Sequence, residues 1–225
     1  MDDPRGVVFD WRGTLVTTLA PEQWVRAALQ RLGRDDRAEA TARIWAAIAE
    51  AAGEPDRLDA PGVDSDVAAH RDAYRGVFAD ASLDAELADA LYTVESDPAY
   101  NPFAVDAAPV LRAVSRHGVR IAVLSDIHFD LRPAFAAAGL ADVVDAFVLS
   151  FEHGVQKPDP RMFRLALDKV GTEPDQTLMV GDRAGPDGGA LAVGMPTLLL
   201  PPLTDVRQRR LGLAARALGV PLGRP

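Results

Sequence analysis

The 225-residue sequence predicts an α/β fold: a doubly wound parallel sheet, Rossmann-like in pattern, with an inserted α-helical domain. Three observations predict it. From residue 105 onward, short apolar strands alternate with short helices. One further strand, residues 7–9, stands alone near the N-terminus and ends in a carboxylate, Asp10. Between them, residues 16–104 carry helical spacing and a charge of their own. That stretch holds 17 Asp/Glu and 8 Arg but no Lys, against 16 acids and 16 bases in the remainder. Such asymmetry marks a separate module. The expected division is a core of residues 1–15 and 105–225, with a helical domain over 16–104.

The elements follow in order. "VVF" is a short buried strand delivering Asp10. "PEQWVRAALQRLG" places Trp24, Val25, Ala28 and Leu32 at helical spacing, with Gly33 as a stop. "DRAEATARIWAAIAEAAG" is Ala-rich and ends at Gly53. "DSDVAAHRDAYRGVFADA" and "DAELADALYTVES" open with Asp or Ser at capping positions. The region therefore predicts four helices and no strand. "SDPAYNPF" is a linker of turn formers. After it, "APVLRAVSRHG", "LRPAFAAAGL", "PRMFRLALDKVG" and "GPDGGALAVG" read as helices. "VRIAVLSD", "AFVLS", "TLMVGD" and "MPTLLL" read as strands. The locally basic tail over 204–217 reads as a helix with a solvated face.

Composition removes several function classes. With no cysteine there are no disulfides, thiolate nucleophiles or Cys-based metal sites. A net charge of −9 opposes nucleic-acid binding. No apolar stretch approaches a membrane span. "MDDPRG" opens with acid and precedes an apolar run too short for a secretory signal. The expectation is a cytoplasmic protein with a small-molecule partner, no nucleic acid and no membrane; the pattern specifies no oligomeric state.

In doubly wound sheets, ligands bind beyond the C-terminal ends of the strands. Those ends carry Asp10, then Ser125 with Asp126, then Lys157 after "LSFEHGVQ", then Asp182 after "TLMVG", with Asp187 five residues on. A lone Asp at a strand end is usually a helix cap, and a lone loop Lys is usually solvated. All of them at successive strand ends form a different object. Carboxylates can hold Mg²⁺, which prefers oxygen ligands. An ammonium and a hydroxyl can hold a phosphoryl group. A carboxylate aimed at phosphorus can act as a nucleophile.

Here the sequence resembles the haloacid dehalogenase (HAD) superfamily. Asp10-Trp11-Arg12-Gly13-Thr14-Leu15 is similar to its first motif, and Ser125 closing "IAVLS" to its second. Lys157 in "GVQKPDP" is similar to the third, and "GDRAGPDGGA" with Asp182 and Asp187 to the fourth. The helical insert sits where a C1-type cap is expected. The resemblance implies a hydrolase whose nucleophile is Asp10. It implies magnesium held by Asp10, the Arg12 carbonyl and Asp182, with Asp187 bound directly or through a ligand. Thr14, Ser125 and Lys157, beside Asp126, would hold the transferring group, and the cap would close over it.

The sequence departs from the pattern at Arg12. The family's phosphatases carry a second aspartate there, which protonates the leaving group and then activates water. A guanidinium stays protonated and does neither. Losing a general acid–base costs roughly 10²–10⁴-fold in rate, so the aspartyl-phosphate is expected to persist. His128, three residues past Ser125, is a candidate substitute or substrate contact, against the plainer reading of a loop histidine facing solvent. His153 is similarly ambiguous, and Trp11 reads as packing under the cap hinge. A Schiff-base route is set aside because residues 16–104 contain no lysine. The leading expectation is a Mg²⁺-dependent phosphatase of a small phosphorylated metabolite. The alternatives are a metal-independent 2-haloacid dehalogenase and a catalytically degenerate member that binds a phosphorylated ligand or a partner. The acidic excess on the cap disfavours polyanionic substrates.

Overall fold

In a computed structural model the structure describes residues 4–222. The chain enters as β1 (Gly6–Phe9) and leaves the sheet for four helices: α1 (Pro21–Arg31), α2 (Ala38–Ala52), α3 (Val67–Asp80) and α4 (Ala85–Glu95). It returns through α5 (Ala107–Arg116), β2 (Arg120–Ser125), α6 (Arg132–Ala137) and β3 (Ala146–Leu149). Then come α7 (Ser150–His153), α8 (Pro160–Val170), β4 (Thr177–Gly181), α9 (Ala184–Gly188), β5 (Thr197–Leu199) and α10 (Gly212–Ala217). The five strands form one parallel sheet in the order β3-β2-β1-β4-β5. Consecutive strands on either side of β1 are joined by helices, as parallel neighbours require.

The sheet is buried on both faces, and the period of two along each strand sorts its side chains. Val7, Phe9, Ile121, Val123, Leu178 and Val180 pack with residues of α5, α6 and α10. Val8, Ala122, Leu124 and Met179 pack with Met162, Phe163, Ala166 and Leu167 of α8. The four-helix segment has a core of its own, in which Trp24, Val25, Ala28 and Leu29 meet Ile48, Val77, Phe78 and Leu91. Trp24 Nε1 donates to the Leu91 carbonyl at 3.0 Å, so the largest ring there has its polar atom satisfied. Asp66 caps α3 through Ala69 N at 2.8 Å, and Asp84 caps α4 through Leu87 N at 3.0 Å.

Two passages of chain join the segments side by side. Val16 bridges Phe103, Ala104 N donates to the Leu15 carbonyl, and Thr17 N donates to the Pro102 carbonyl. Val16 and Ala104 bury with the sheet core. Trp11, fully buried, stacks edge-on to Phe103 and meets Phe135, so it packs under this crossing.

Three expectations are corrected. The tail is helical only over Gly212–Ala217, and it is not simply a solvated face. Arg210 turns inward, donating to the Thr14 carbonyl at 2.7 Å and the Gly13 carbonyl at 3.2 Å, and to Pro201. The Gly13 carbonyl also accepts from Leu203 N at 2.8 Å, and the buried guanidinium satisfies the Thr14 carbonyl of the tight turn after Asp10. "GPDGGALAVG" is split into α9 and a 3-10 turn, Gly189–Val193. Ser150, read as the last residue of the strand "AFVLS", instead opens α7, which ends at Gly154 with φ 65°. Among the described residues no helix is long and apolar enough to cross a membrane.

Candidate active site

β1 and β4 are paired neighbours, so the residues that follow them emerge side by side. Asp10 N donates to the Val180 carbonyl at 2.9 Å, which holds Asp10 on the sheet line. The chain then turns back at once, with Leu15 N donating to the Trp11 carbonyl at 2.9 Å. Gly13 sits in that turn at φ 79°, and a Cβ there would meet Asp182 Oδ2 at 2.4 Å. Only glycine allows the turn and the carboxylate to coexist. Thr14 Oγ1 donates to Asp182 Oδ1 at 3.2 Å from below.

Asp187 is fully buried. Its Oδ2 accepts from Asp182 N at 3.0 Å and Arg183 N at 2.9 Å, and its Oδ1 accepts from Lys157 Nζ at 2.7 Å. Lys157 Nζ also donates to Asp10 Oδ1 at 2.6 Å. The lysine main chain is fixed in turn, its N donating to Asp126 Oδ1 at 2.8 Å. Ser125 ends β2 and is almost wholly buried beside this group.

Asp10, Asp182 and Asp187 each offer an oxygen within 4.8 Å of the others. Three carboxylates against one ammonium leave two negative charges in a buried place. The electrostatics register this. Burial, aided by Asp187 and Asp182, raises the Asp10 carboxyl to about 7 despite the opposing pull of Lys157. Burial and Asp187 raise Asp182 as well. Burial alone would lower Lys157, but Asp10, Asp187 and Asp126 outweigh it and hold the ammonium charged. An all-oxygen donor set with a deficit of two positive charges suits a hard divalent cation.

The cluster forms the floor of a cavity of about 450 Å³. Asp10, Arg12, Ser125, Asp126, Lys157 and Asp182 line it, so the structure brings six of the sequence-predicted residues together. Thr14 and Asp187 stand outside this lining, and Thr14 bonds Asp182. The opposite wall comes from the helical segment: Trp24, Trp45, Tyr74 and Tyr100, with Asp56, Asp59, Asp64 and Glu95. Sequence reading named none of these as site residues. Their only signal was the acidic excess of the segment.

Two candidates change meaning. Arg12 turns away from the carboxylates. Its guanidinium donates to Glu95 Oε1 at 2.5 Å and to the Glu95 carbonyl at 2.9 Å, and lies 5.7 Å from the Phe129 ring centre. It ties the turn after Asp10 to the end of α4. His128 is neither a cavity residue nor a solvated loop residue. It is 4% exposed, stacks on His70 with ring centres 3.4 Å apart, and shares a 2.8 Å bond with Ser96 Oγ. Burial, then His70 and Arg12, lower it to about 2, so it stays neutral. His153 lies outside the cavity lining as well.

Comparison with known proteins follows the geometry. The sequence pattern of haloacid dehalogenase-like hydrolases matches residues 4–194. Phosphoglycolate phosphatase of Rhodospirillum rubrum is 31% identical over 213 residues, covering 88% of this chain and 79% of that protein. Phosphoserine phosphatase of Thermus thermophilus is 38% identical over 87 residues, 38% of this chain and 35% of that protein. The chain spans about a third to a half of the length of several curated relatives that it matches. L-2-haloacid dehalogenase from Xanthobacter autotrophicus shares the fold at a TM-score of 0.63 and 23% identity, over 98% of this chain and 84% of that one.

Proposed function

The chain belongs to the haloacid dehalogenase-like hydrolases, and on that premise we propose that it is a phosphatase of small phosphomonoesters, with Asp10 as nucleophile. One observation carries the reading: Asp10, Asp182 and Asp187 gather around Lys157 with two negative charges left over. A halide-releasing site has no use for that surplus. A site that takes a divalent cation together with a phosphate does.

In this reading Asp10, Asp182 and the Arg12 carbonyl would hold Mg²⁺, and Asp187 orients the lysine and the turn at Asp182. When bound, the cation offsets charge on the phosphoryl oxygens. Lys157 would also offset that charge, and it holds the Asp10 carboxylate in place. Ser125 donates its hydroxyl to a phosphoryl oxygen. The Asp10 carboxylate attacks phosphorus and forms an aspartyl-phosphate, which water then hydrolyses. Residues 16–104 serve as the cap. Arg12 latches the cap to the nucleophile turn through Glu95, and closure excludes water from the reacting groups.

The wall of the cap sets the substrate class. Its four aromatic rings and four carboxylates face a cavity whose cationic side chains are already paired. Arg12 is held by Glu95, Arg183 by Asp59, and Lys157 by Asp10 and Asp187. Such a wall repels a second phosphate and attracts an ammonium or a neutral ring. The expected substrates are monophosphates with a neutral or amine-bearing leaving group.

A second reading, metal-independent 2-haloacid hydrolysis, is favoured by Arg12, because that chemistry needs no acid at the position. A panel of phosphate esters and 2-haloacids, with Mg²⁺ or with EDTA, separates the two. Phosphate release that needs Mg²⁺ supports the phosphatase. Halide release that persists in EDTA replaces it with the dehalogenase.

A further inference from the structure

We propose that Asp64, presented by the 3-10 turn Val63–Ser65 of the helical segment, is the general acid–base of the reaction, in the place that Arg12 leaves unfilled. The inference rests on the phosphatase reading above and names the residue that completes it.

The argument begins by elimination. Seven carboxylates line the cavity. Asp10 accepts from Lys157, Asp182 from Thr14, and Asp126 from the Lys157 main chain. Glu95 accepts from Arg12, Asp59 from Arg183, and Asp56 from Leu58 N. Asp64 is the exception: among the described residues its carboxyl accepts no hydrogen bond. A carboxylate already bonded to a fixed donor is a poor proton carrier. One without such a donor can take a proton and give it up.

The placement of Asp64 is fixed by its main chain. The Ser150 hydroxyl donates to the Asp64 carbonyl and accepts from Ile127 N at 2.8 Å. Ile127 lies two residues past Ser125, the end of β2. On the other side of the turn, Gly62 N donates at 2.8 Å to the side chain of Gln156, the residue before Lys157. The turn is thus stapled to the two loops that carry the catalytic floor. Asp64 lines the same cavity as that floor, with its carboxyl free of fixed donors.

His70 lies behind it, 1% exposed, with Nε2 3.6 Å from Asp64 Oδ1 and Nδ1 3.3 Å from the Tyr92 hydroxyl. A hydroxyl can donate or accept, so His70 can turn either a proton or a lone pair toward Asp64. The arrangement tolerates Asp64 in both protonation states. The groups facing Asp64 are His70 and His128, each with a ring nitrogen within 4.8 Å of its carboxyl, and the charges of Arg12, Asp126, Glu95 and Asp59. Burial, with the three carboxylates and against Arg12, raises Asp64 to about 7, where both states are populated near neutral pH.

The steps balance as follows. An Asp10 carboxylate oxygen attacks phosphorus. The bond from phosphorus to the leaving oxygen breaks with its electron pair going to that oxygen, which takes the proton from Asp64. The alcohol departs and Asp64 is left as carboxylate. Asp64 then removes a proton from water as the water oxygen attacks the aspartyl-phosphate. The bond from phosphorus to Asp10 breaks, its pair returns to Asp10, and inorganic phosphate leaves with Asp64 protonated again.

The test uses the full chain and two probes, p-nitrophenyl phosphate and phosphoethanolamine, with Mg²⁺. Nitrophenolate leaves without a proton, so Asp64→Asn is expected to keep a first-turnover burst of one nitrophenolate per chain. Its following steady rate should fall roughly 10²–10⁴-fold, with phospho-enzyme accumulating. With phosphoethanolamine the burst itself should slow. A merely structural role would depress both phases with both probes alike, and that result overturns the inference. Asp64→Glu, which keeps a carboxyl, should recover part of the steady rate and stands in if Asp64→Asn does not fold; no recovery in a folded Asp64→Glu overturns it too. Steady turnover of Asp64→Asn within about threefold of the parent also overturns it while leaving the phosphatase reading intact. A parent that hydrolyses neither probe and never carries phosphate overturns the phosphatase reading, and this inference with it.

Discussion

The two walls of the cavity are built on different principles. On the sheet side each charged side chain is held by another. Lys157 spans Asp10 and Asp187, Asp187 grips two main-chain amides, and Asp182 rests on Thr14. On the helical side three of the four carboxylates are also held, Glu95 by Arg12, Asp59 by Arg183 and Asp56 by Leu58 N, but the fourth is not. Among the described residues Asp64 has no fixed donor; behind it His70 of α3 stacks on His128 from the loop after β2, and burial lowers the two rings to about 3 and about 2, so both stay uncharged. In the proposed reaction the sheet wall would hold charge, and the helical wall would exchange protons and select the leaving group.

Breaking the sheet wall should therefore cost most. Asp10→Asn removes the attacking oxygen and is expected to cut turnover of p-nitrophenyl phosphate on the order of 10⁴–10⁶-fold, as removal of a nucleophile does elsewhere. That loss should exceed the loss from any substitution in the cap wall. A cap variant that is worse than Asp10→Asn would invert the comparison.

The next effect is the cation. Mg²⁺ at about a hundred times its dissociation constant should add about 2.7 kcal/mol, raising the melting temperature by about 5–10 °C in a chain of this size. Asp182→Asn should abolish the shift, while Glu95→Gln, on the opposite wall, should leave it. Differential scanning fluorimetry with and without Mg²⁺ reads both.

The latch between the walls comes third. Arg12 and Glu95 are 24% and 16% exposed, between a surface pair and a buried one. Arg12→Gln should cost about 2 kcal/mol, or about 4–8 °C in melting temperature. A double-mutant cycle with Glu95→Gln should show coupling. Arg12→Asp sharpens the point. The sequence alone expects it to restore a missing acid–base and speed turnover. The structure sets the new carboxylate against Glu95, so turnover should fall and the cap should loosen.

The smallest effect is in pH. The lowered histidines give stability that is present above pH 6.5 and lost as pH falls toward 3. Asp10 and Asp64, raised to about 7, give stability that is present below about 4 and lost as pH rises toward 7. Between about pH 4 and 6.5 the two slopes oppose each other. Asp64→Asn removes one of them, so its stability should rise with pH across that window by about 1 kcal/mol more than the parent's. Thermal melts at the two ends of the window measure it.

The same comparison explains what could be read from the sequence. Parallel strands bring their C-terminal ends to one edge, so Asp10, Ser125, Lys157 and Asp182 could be placed from strand order alone. The strands and the four capping-region helices were equally legible, because each carries its own period and stop. The cap wall was not. Asp64, the first residue of a segment read as a helix, sits instead in a 3-10 turn ahead of the Asp66 cap, and Glu95 meets Arg12 across 83 residues of chain. His128 was misplaced because its partner, His70, comes from a helix whose docking leaves no mark on the local pattern. Arg210 was taken as solvated because the carbonyls that it satisfies belong to a turn 196 residues away.

The central claim is that Asp10 carries the phosphoryl group. Rapid acid quench of the parent within its first turnover of p-nitrophenyl phosphate and Mg²⁺, followed by peptide mass spectrometry, tests it directly. The account predicts one phosphoryl group on the peptide that contains Asp10, absent from Asp10→Asn. Steady turnover with no phosphorylated peptide at any quench time, or phosphate found on Ser125 instead, would contradict it.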